Sequence, residues 1–293
     1  ERALDTLPPQ LAALVARRAV DLVHLNLPSQ AAGLVLPVPV LVVSHSCVVT
    51  WFAAVRGTDV PEHWAWQRRR NRAGFDNADL VIAHSYAHAG MLGNSYGRIG
   101  QMRVVHNGSR PSPGSTRKGH FILAAGRWWD EGKNGAVLDR AAPDVDWPIV
   151  MAGPNQGPAG QFTALEHVDH RGQLPHPELR ALMARAAILC SPSVYEPFGL
   201  APLEAASAGA ALVLADIPTY RELWDGAALF APPRDATAMA NALNQMASDG
   251  EKRVALAREA NRRALALGLE EQARAMADAY DLLLNQEHSI RSA

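Results

Sequence analysis

One stretch constrains the fold more than any other: Ser191 to Leu223, SPSVYEPFGLAPLEAASAGAALVLADIPTYREL. The apolar run Ala187 to Cys190 breaks at Ser191 and Pro192, and a helix-compatible segment follows from Gly199 to Ala208. Gly209 ends that segment before a second apolar run, Ala211 to Ala215. The pattern is strand, loop, helix, strand. Glu196 falls in the loop where the first strand ends, within reach of a cleft at the carboxyl edge of a sheet. Glu204, eight positions later, stands about a turn and a half into the helix, near its positively polarised start. Gly199 between them permits close backbone approach, so the free amides of Gly199 and Leu200 are placed to bind a phosphate.

The same alternation runs through the rest of the chain. Leu11 to Val20 has helical periodicity and feeds a strand over Asp21 to Asn26. Pro37 to Ser44 (PVPVLVVS) is apolar and β-branched enough for a parallel strand buried on both faces, and His45 falls at its end, where side chains enter the ligand crevice of open α/β sheets. Trp51 to Asn71 reads as a helix with its entry loop, and its run Arg68-Arg69-Arg70 beside Trp64 and Trp66 is either an acceptor or anionic-surface contact or a solvated basic helix face with the tryptophans packed inward. A strand over Asp79 to Ala83, a helix over Tyr86 to Tyr96 and a strand over Met102 to Val105 follow, with His106-Asn107-Gly108 as a turn. Ser109 to Gly119, rich in Ser, Pro, Gly and basic residues, reads as an interdomain linker.

The second half opens with a strand, Phe121 to Ala125, that ends in Gly126-Arg127. Lys133 then precedes a helix starting near Asn134, so Arg127 and Lys133 flank a strand-to-helix turn, a place where two cations can converge on a diphosphate. Further strands are expected at Ile149 to Ala152 and at Ala227 to Phe230. Helices are expected at Pro177 to Ala186, Ala236 to Ala247, Glu251 to Leu267 and Glu270 to Leu284. Strands alternating with helices on both sides of a linker imply two Rossmann-like α/β domains with parallel sheets facing a central cleft. The boundaries read 1–108, a linker at 109–119, 120–269, and a C-terminal helix at 270–293.

Composition narrows the function classes. A chain of 293 residues with 48% hydrophobic and 19% charged residues is an ordinary globular protein. No apolar run reaches the length of a spanning helix, and the polar start ERALDTLPPQ does not have the form of a secretory signal. Cys47 and Cys190 lie far apart in apolar surroundings and read as buried thiols of a reducing, cytoplasmic compartment. Residues 1–118 carry 13 Lys and Arg against 7 Asp and Glu, and the remainder 15 against 22, so the front half is basic. Such a half suits an anionic acceptor or a peripheral station at the inner face of a membrane; no basic run interleaved with several aromatics points to nucleic acid. His167, His170 and His176 are spaced unlike metal ligands, and no metal is expected.

Glu196-Pro197-Phe198-Gly199-Leu200 with Glu204 resembles the E-x7-E motif of retaining GT-B glycosyltransferases of family 4, the glycosyltransferases of group 1. The resemblance implies a nucleotide-diphosphate sugar as co-substrate, held mainly by the C-terminal domain, with no cofactor and no metal. By analogy Glu196 would bind the hydroxyls of the transferred sugar and Glu204 those of the ribose. Arg127, Lys133 and the Gly199-Leu200 amides would hold the diphosphate, with Phe198 in the same donor loop; His167 to Leu174 resembles the family's strand leading to the base-binding turn, where the backbone around Leu174 would read the nucleobase edge. His45 matches the strand-end histidine that faces the reacting sugar. The acceptor, a small molecule, a glycan or a lipid, would fall to the N-terminal half, and the last helix would cross back to that domain. Family members usually begin with a strand and a glycine-rich loop; no such loop lies between Glu1 and Asp21, so either that element precedes Glu1 or the first domain is a divergent one built without it. An epimerase or phosphorylase of the same fold and a nucleotide-sugar-binding module without turnover remain the alternatives.

Overall fold

A computed structural model describes residues 2–112, 115 and 117–291. The chain divides into two units, Glu1–His106 with Glu270–Ala293, and Asn107–Leu269.

In the first unit the chain runs through α1 (Arg2–Asp5), α2 (Leu7–Arg18), β1 (Val23–Leu25), α3 (Pro28–Ala31), β2 (Val40–Ser44), α4 (Val48–Arg56), α5 (Ala65–Asp76), β3 (Leu80–Ala83), α6 (Tyr86–Tyr96) and β4 (Met102–Val104). All four strands are parallel, in the order β1-β2-β3-β4. β2 and β3 are buried along their whole length, as their unbroken apolar sequences demand of strands covered on both faces. One face packs Leu41, Val43, Leu80 and Ile82 against Ala279 and Leu283 of the last helix, Leu269–Arg291. The other packs Val81 and Ala83 against Val49, Phe75 and Leu92.

Two expectations for this unit need correction. The segment Trp51 to Asn71 is not one helix: Gly57 adopts φ +65° and closes α4, Pro61 follows, and α5 begins only at Ala65. Nor is Arg68-Arg69-Arg70 a solvated basic patch. Arg68 donates to the Ser95 carbonyl at 3.0 Å and pairs with Asp59. Arg70 reaches the Ser29 carbonyl at 3.3 Å and Asp5 at 2.5 Å. These two side chains staple α5 to its neighbours, leaving Arg69 as the exposed member of the run. Arg70→Ala is therefore expected to lower stability by about 2 kcal/mol, roughly 5 °C in Tm, while Arg69→Ala stays within about 0.5 kcal/mol of the parent. Thermal unfolding of the two variants side by side checks this, and equal shifts would contradict it.

The second unit runs through β5 (Gly119–Ala125), α7 (Gly135–Ala141), β6 (Ile149–Ala152), β7 (Asp169–His170), α8 (His176–Arg185), β8 (Ala186–Ser191), α9 (Leu200–Ser207), β9 (Ala211–Ala215), α10 (Pro218–Trp224), β10 (Ala228–Ala231), α11 (Ala236–Ser248) and α12 (Gly250–Ala266). Its six strands are parallel in the order β10-β9-β8-β5-β6-β7. The chain lays β5, β6 and β7 outward in one direction, then returns past β5 to lay β8, β9 and β10 in the other. Strand order reverses between β5 and β8, and the loops leaving their carboxyl ends diverge there, which is where open α/β sheets form a ligand crevice.

Here too the structure departs from the sequence reading in detail. The strand within His167 to Leu174 shrinks to Asp169–His170, because Gly172 turns the chain at φ +63° and Pro175 follows. α8 passes into β8 without a connecting loop. The linker residues are held on this unit: Ser112 N–H donates to Ser207 Oγ at 2.9 Å, and Ser109 N–H to the Leu267 carbonyl at 3.1 Å. Pro113, Gly114 and Thr116 of that linker lie outside the described residues. Neither Cys47 nor Cys190 is part of a disulfide. Among the described residues no helix is long and apolar enough to cross a membrane.

Candidate functional site

The two loops at the strand-order reversal are stitched together by backbone geometry. After β5, Gly126 passes directly under Gly153, whose φ is +120°; a Cβ on Gly153 would lie 1.8 Å from the Gly126 carbonyl oxygen. Trp128 is buried beneath the loop and donates from Nε1 to the Ala152 carbonyl at 3.0 Å. The Asp130 carboxylate accepts from Gly132 N–H at 2.9 Å and tightens the turn. Val194 N–H then donates to the Gly132 carbonyl at 3.0 Å, and Asn134 Nδ2 to the Pro192 carbonyl at 2.9 Å. The loop after β8 is thereby locked to the loop after β5.

That lock brings two chemically strong groups together. Lys133 Nζ donates to Glu196 Oε2 at 2.5 Å, with side-chain exposures of only 21% and 14%. A charged pair so shielded from water interacts more strongly than one on the surface. Gly199 follows at φ +97°, where it caps α9, and a Cβ there would strike the Tyr220 ring at 2.8 Å. The amides of Leu200 and Ala201 open the first turn without intrahelical partners, and Pro202 has no N–H to offer. Tyr220 forms the floor: it is fully buried, with its hydroxyl 2.5 Å from Ser191 Oγ. Burial, and then the neighbouring Glu196 charge, push its phenol well above the ordinary range, so it stays neutral. Glu204 lies on α9, half-buried.

Residues 109–263 match the model of the family described as Glycosyl transferases group 1, and residues 2–112 match that of Glycosyltransferase Family 4. The chain belongs to the glycosyl transferases group 1 family. Among its curated relatives, O-antigen chain mannosyltransferase B of Escherichia coli is 30% identical over 139 residues, 47% of this chain and 31% of that protein. Glycogen synthase of Mycobacterium tuberculosis is 39% identical over 187 residues, 56% of this chain and 44% of that protein. The chain thus spans less than half the length of these curated relatives. Sucrose-phosphate synthase from Thermosynechococcus elongatus superposes with a TM-score of 0.80 at 22% identity, covering 97% of this chain and 79% of that one. With two parallel-sheet α/β units of its own, the chain has the GT-B fold.

In this group 1 chain the residues singled out from sequence are not all gathered at one point. Lys133, Glu196 and Gly199 converge. Arg127 does not: its side chain is 63% exposed, lies 3.5 Å from Asp130 and stacks over Trp129 at 5.6 Å. Phe198 is 3% exposed and points into the core, so its side chain packs the fold and only its backbone faces the loop. Leu174 is half-buried and packs on the same core below α8. Two of the three histidines have hydrogen-bond partners within the unit. His167 Nδ1 donates to Asp139 at 3.1 Å and His170 Nε2 to the Gly153 carbonyl at 2.8 Å, while His176 begins α8. Among the described residues no three His, Cys, Asp or Glu side chains gather as a metal site.

His45 lies on the first unit, directly after β2, and is exposed. Its Nδ1 is 2.8 Å from Nε2 of His84, a residue that the sequence reading passed over. The signal for His84 was present: it follows β3 as His45 follows β2, and Ser44 pairs with Ala83 in register. Burial lowers the pKa of His45 and pulls that of His84 down to about 4, so His84 is neutral at physiological pH.

Proposed function

We propose that this chain transfers a hexose from a nucleotide-diphosphate sugar to an acceptor hydroxyl, with retention at the anomeric carbon and without a metal. The observation that carries the reading is the shielded Lys133–Glu196 pair beside the N-terminus of α9, at the strand-order reversal of the second unit. Breaking the bond from the anomeric carbon to the phosphate oxygen leaves negative charge on the diphosphate. A cation and a helix N-terminus fixed at that place stabilise the charge as it develops. Lys133 and the Gly199-Leu200 amides take the diphosphate, with Lys133 exchanging its carboxylate partner for phosphate oxygens, and Arg127 is assigned to the same diphosphate by swinging in from its solvent-exposed place over Trp129. Glu196 then accepts hydrogen bonds from the sugar hydroxyls. Glu204 takes the ribose hydroxyls, the backbone at Phe198 completes the donor loop, and the backbone at Leu174 meets the base. On the first unit, His45 is assigned to a hydroxyl of the reacting sugar.

In the mechanism we favour, the acceptor oxygen bonds to the anomeric carbon on the face the phosphate leaves. The acceptor proton passes to a departing phosphate oxygen, so retention needs no covalent enzyme intermediate. Mannose, the sugar named for one relative, is a hexose; a glycan, a lipid or a small molecule serves as acceptor. Thermal unfolding with UDP, GDP and ADP and their sugar conjugates tests the donor half. At a hundred times its dissociation constant, the correct nucleotide is expected to add about 2.7 kcal/mol, roughly 5–10 °C in Tm, and chelator is expected to leave the shift unchanged. No shift with any of the three nucleotides would remove the reading.

A further inference from the structure

His84 faces two partners. Its Nδ1 lies 3.1 Å from the Val105 carbonyl, and its Nε2 lies 2.8 Å from His45 Nδ1, with the two rings 4.7 Å apart. A carbonyl oxygen only accepts, so the single N–H of a neutral His84 belongs on Nδ1. Its Nε2 is then a lone pair, and the atom placed to donate to it is His45 Nδ1. That leaves His45 Nε2 without a proton.

The opposite polarity has a defect that the fold cannot repair. It would run His84 Nε2–H to His45 Nδ1 and His45 Nε2–H to Asn26 Oδ1, which lies 3.3 Å away. His84 Nδ1 and the Val105 oxygen would then face each other as two acceptors. His84 and Val105 are each 4% exposed, so water does not reach the mismatch. In the first polarity the only mismatch falls on Asn26, which is exposed and turns its amide over to present the NH2 group.

We propose that His84 is a positioning residue: anchored on the Val105 carbonyl, it holds the His45 proton on Nδ1 and keeps the Nε2 lone pair ready to accept a hydrogen bond from a substrate hydroxyl. The substrate part of this inference rests on the role given to His45 above; the proton arrangement does not.

The test reads the arrangement directly. In the full chain with isotopically labelled histidine nitrogens, long-range proton–nitrogen correlation at neutral pH should show His45 protonated on Nδ1 and bare on Nε2, its signals identified by their loss in His45→Asn. In His84→Phe, which keeps a ring but no nitrogen, His45 should move to the mixture of forms seen in free imidazole. A parent chain with His45 protonated on Nε2 overturns the proposal, and so does a His84→Phe chain that retains the Nδ1–H form. No substrate enters this measurement, so failure of the nucleotide screen would count against the transferase reading alone. In transfer assays His84→Phe and His45→Phe should each lose on the order of tenfold in kcat, and the double variant no more than either. Losses that multiply would show that His84 does not act through His45.

Discussion

Glu196→Ala is expected to lower kcat for sugar transfer about 10³-fold while leaving affinity for the free nucleoside diphosphate unchanged or tighter. The split follows from the pair in which Glu196 stands. With its carboxylate 2.5 Å from Lys133 Nζ, the glutamate competes with phosphate for the same ammonium. Removing it frees Lys133 to bind the diphosphate, yet removes the acceptor assigned to the sugar hydroxyls. Binding of the leaving group survives and positioning of the reacting sugar does not. The unpaired ammonium should lower stability by roughly 2 kcal/mol, less than for a fully buried pair because both side chains keep some exposure to water. Lys133→Ala is the informative partner, since it should weaken nucleotide binding as well as turnover. Calorimetric titration with the nucleoside diphosphate, set beside single-turnover kinetics, separates the two effects. Unchanged transfer by Glu196→Ala would remove the role given to that residue.

Gly153→Ala is expected to be the most disruptive small substitution in the second unit. At φ +120° an L-residue is strained whatever the space around it, and here a Cβ would sit 1.8 Å from the Gly126 carbonyl oxygen. The obstruction is backbone, so no rotamer change relieves it. The same residue donates its N–H to the Gly172 carbonyl at 2.7 Å and accepts from His170 Nε2 at 2.8 Å, which ties three chain segments to one point. We expect a loss of at least about 4 kcal/mol, near 10 °C in Tm, or insoluble protein. Any folded fraction should bind nucleotide poorly, because Gly126 anchors the loop that carries Lys133 to Glu196. Gly160→Ala is the control: its φ is +83° but open space surrounds it, so conformational strain of about 1 kcal/mol is the whole expected effect. Equal melting temperatures for the two variants would contradict this account.

What could be read from the chain before its fold was known followed a simple physical division. Features contiguous in sequence were legible: the strand, loop and helix carrying Glu196, Gly199 and Glu204, and the apolar runs of the parallel strands. Features made by residues distant in sequence were not. The arginine run looked like a surface for anions because its partners, Asp5, Ser29, Asp59 and Ser95, come from other segments of the chain. Tyr220 left no sign that it supports Gly199, since nothing local encodes a ring packed under a left-handed glycine. His84 needed the register of β2 against β3. Arg127 and Lys133, six residues apart, looked equivalent, but a turn capped by Asp130 sends one to solvent and the other to Glu196.

The sheet of the first unit depends on residues made long after it. Leu41, Val43, Leu80 and Ile82 are covered by Ala279 and Leu283, so as the nascent chain leaves the ribosome that apolar face stays wet until nearly two hundred further residues have followed Ile82. The intervening Asn107–Leu269 unit, whose core is its own, is free to mature first. A ribosome stalled before Ala279 would therefore display a finished second unit beside an unfinished first one, a species suited to capture by chaperones.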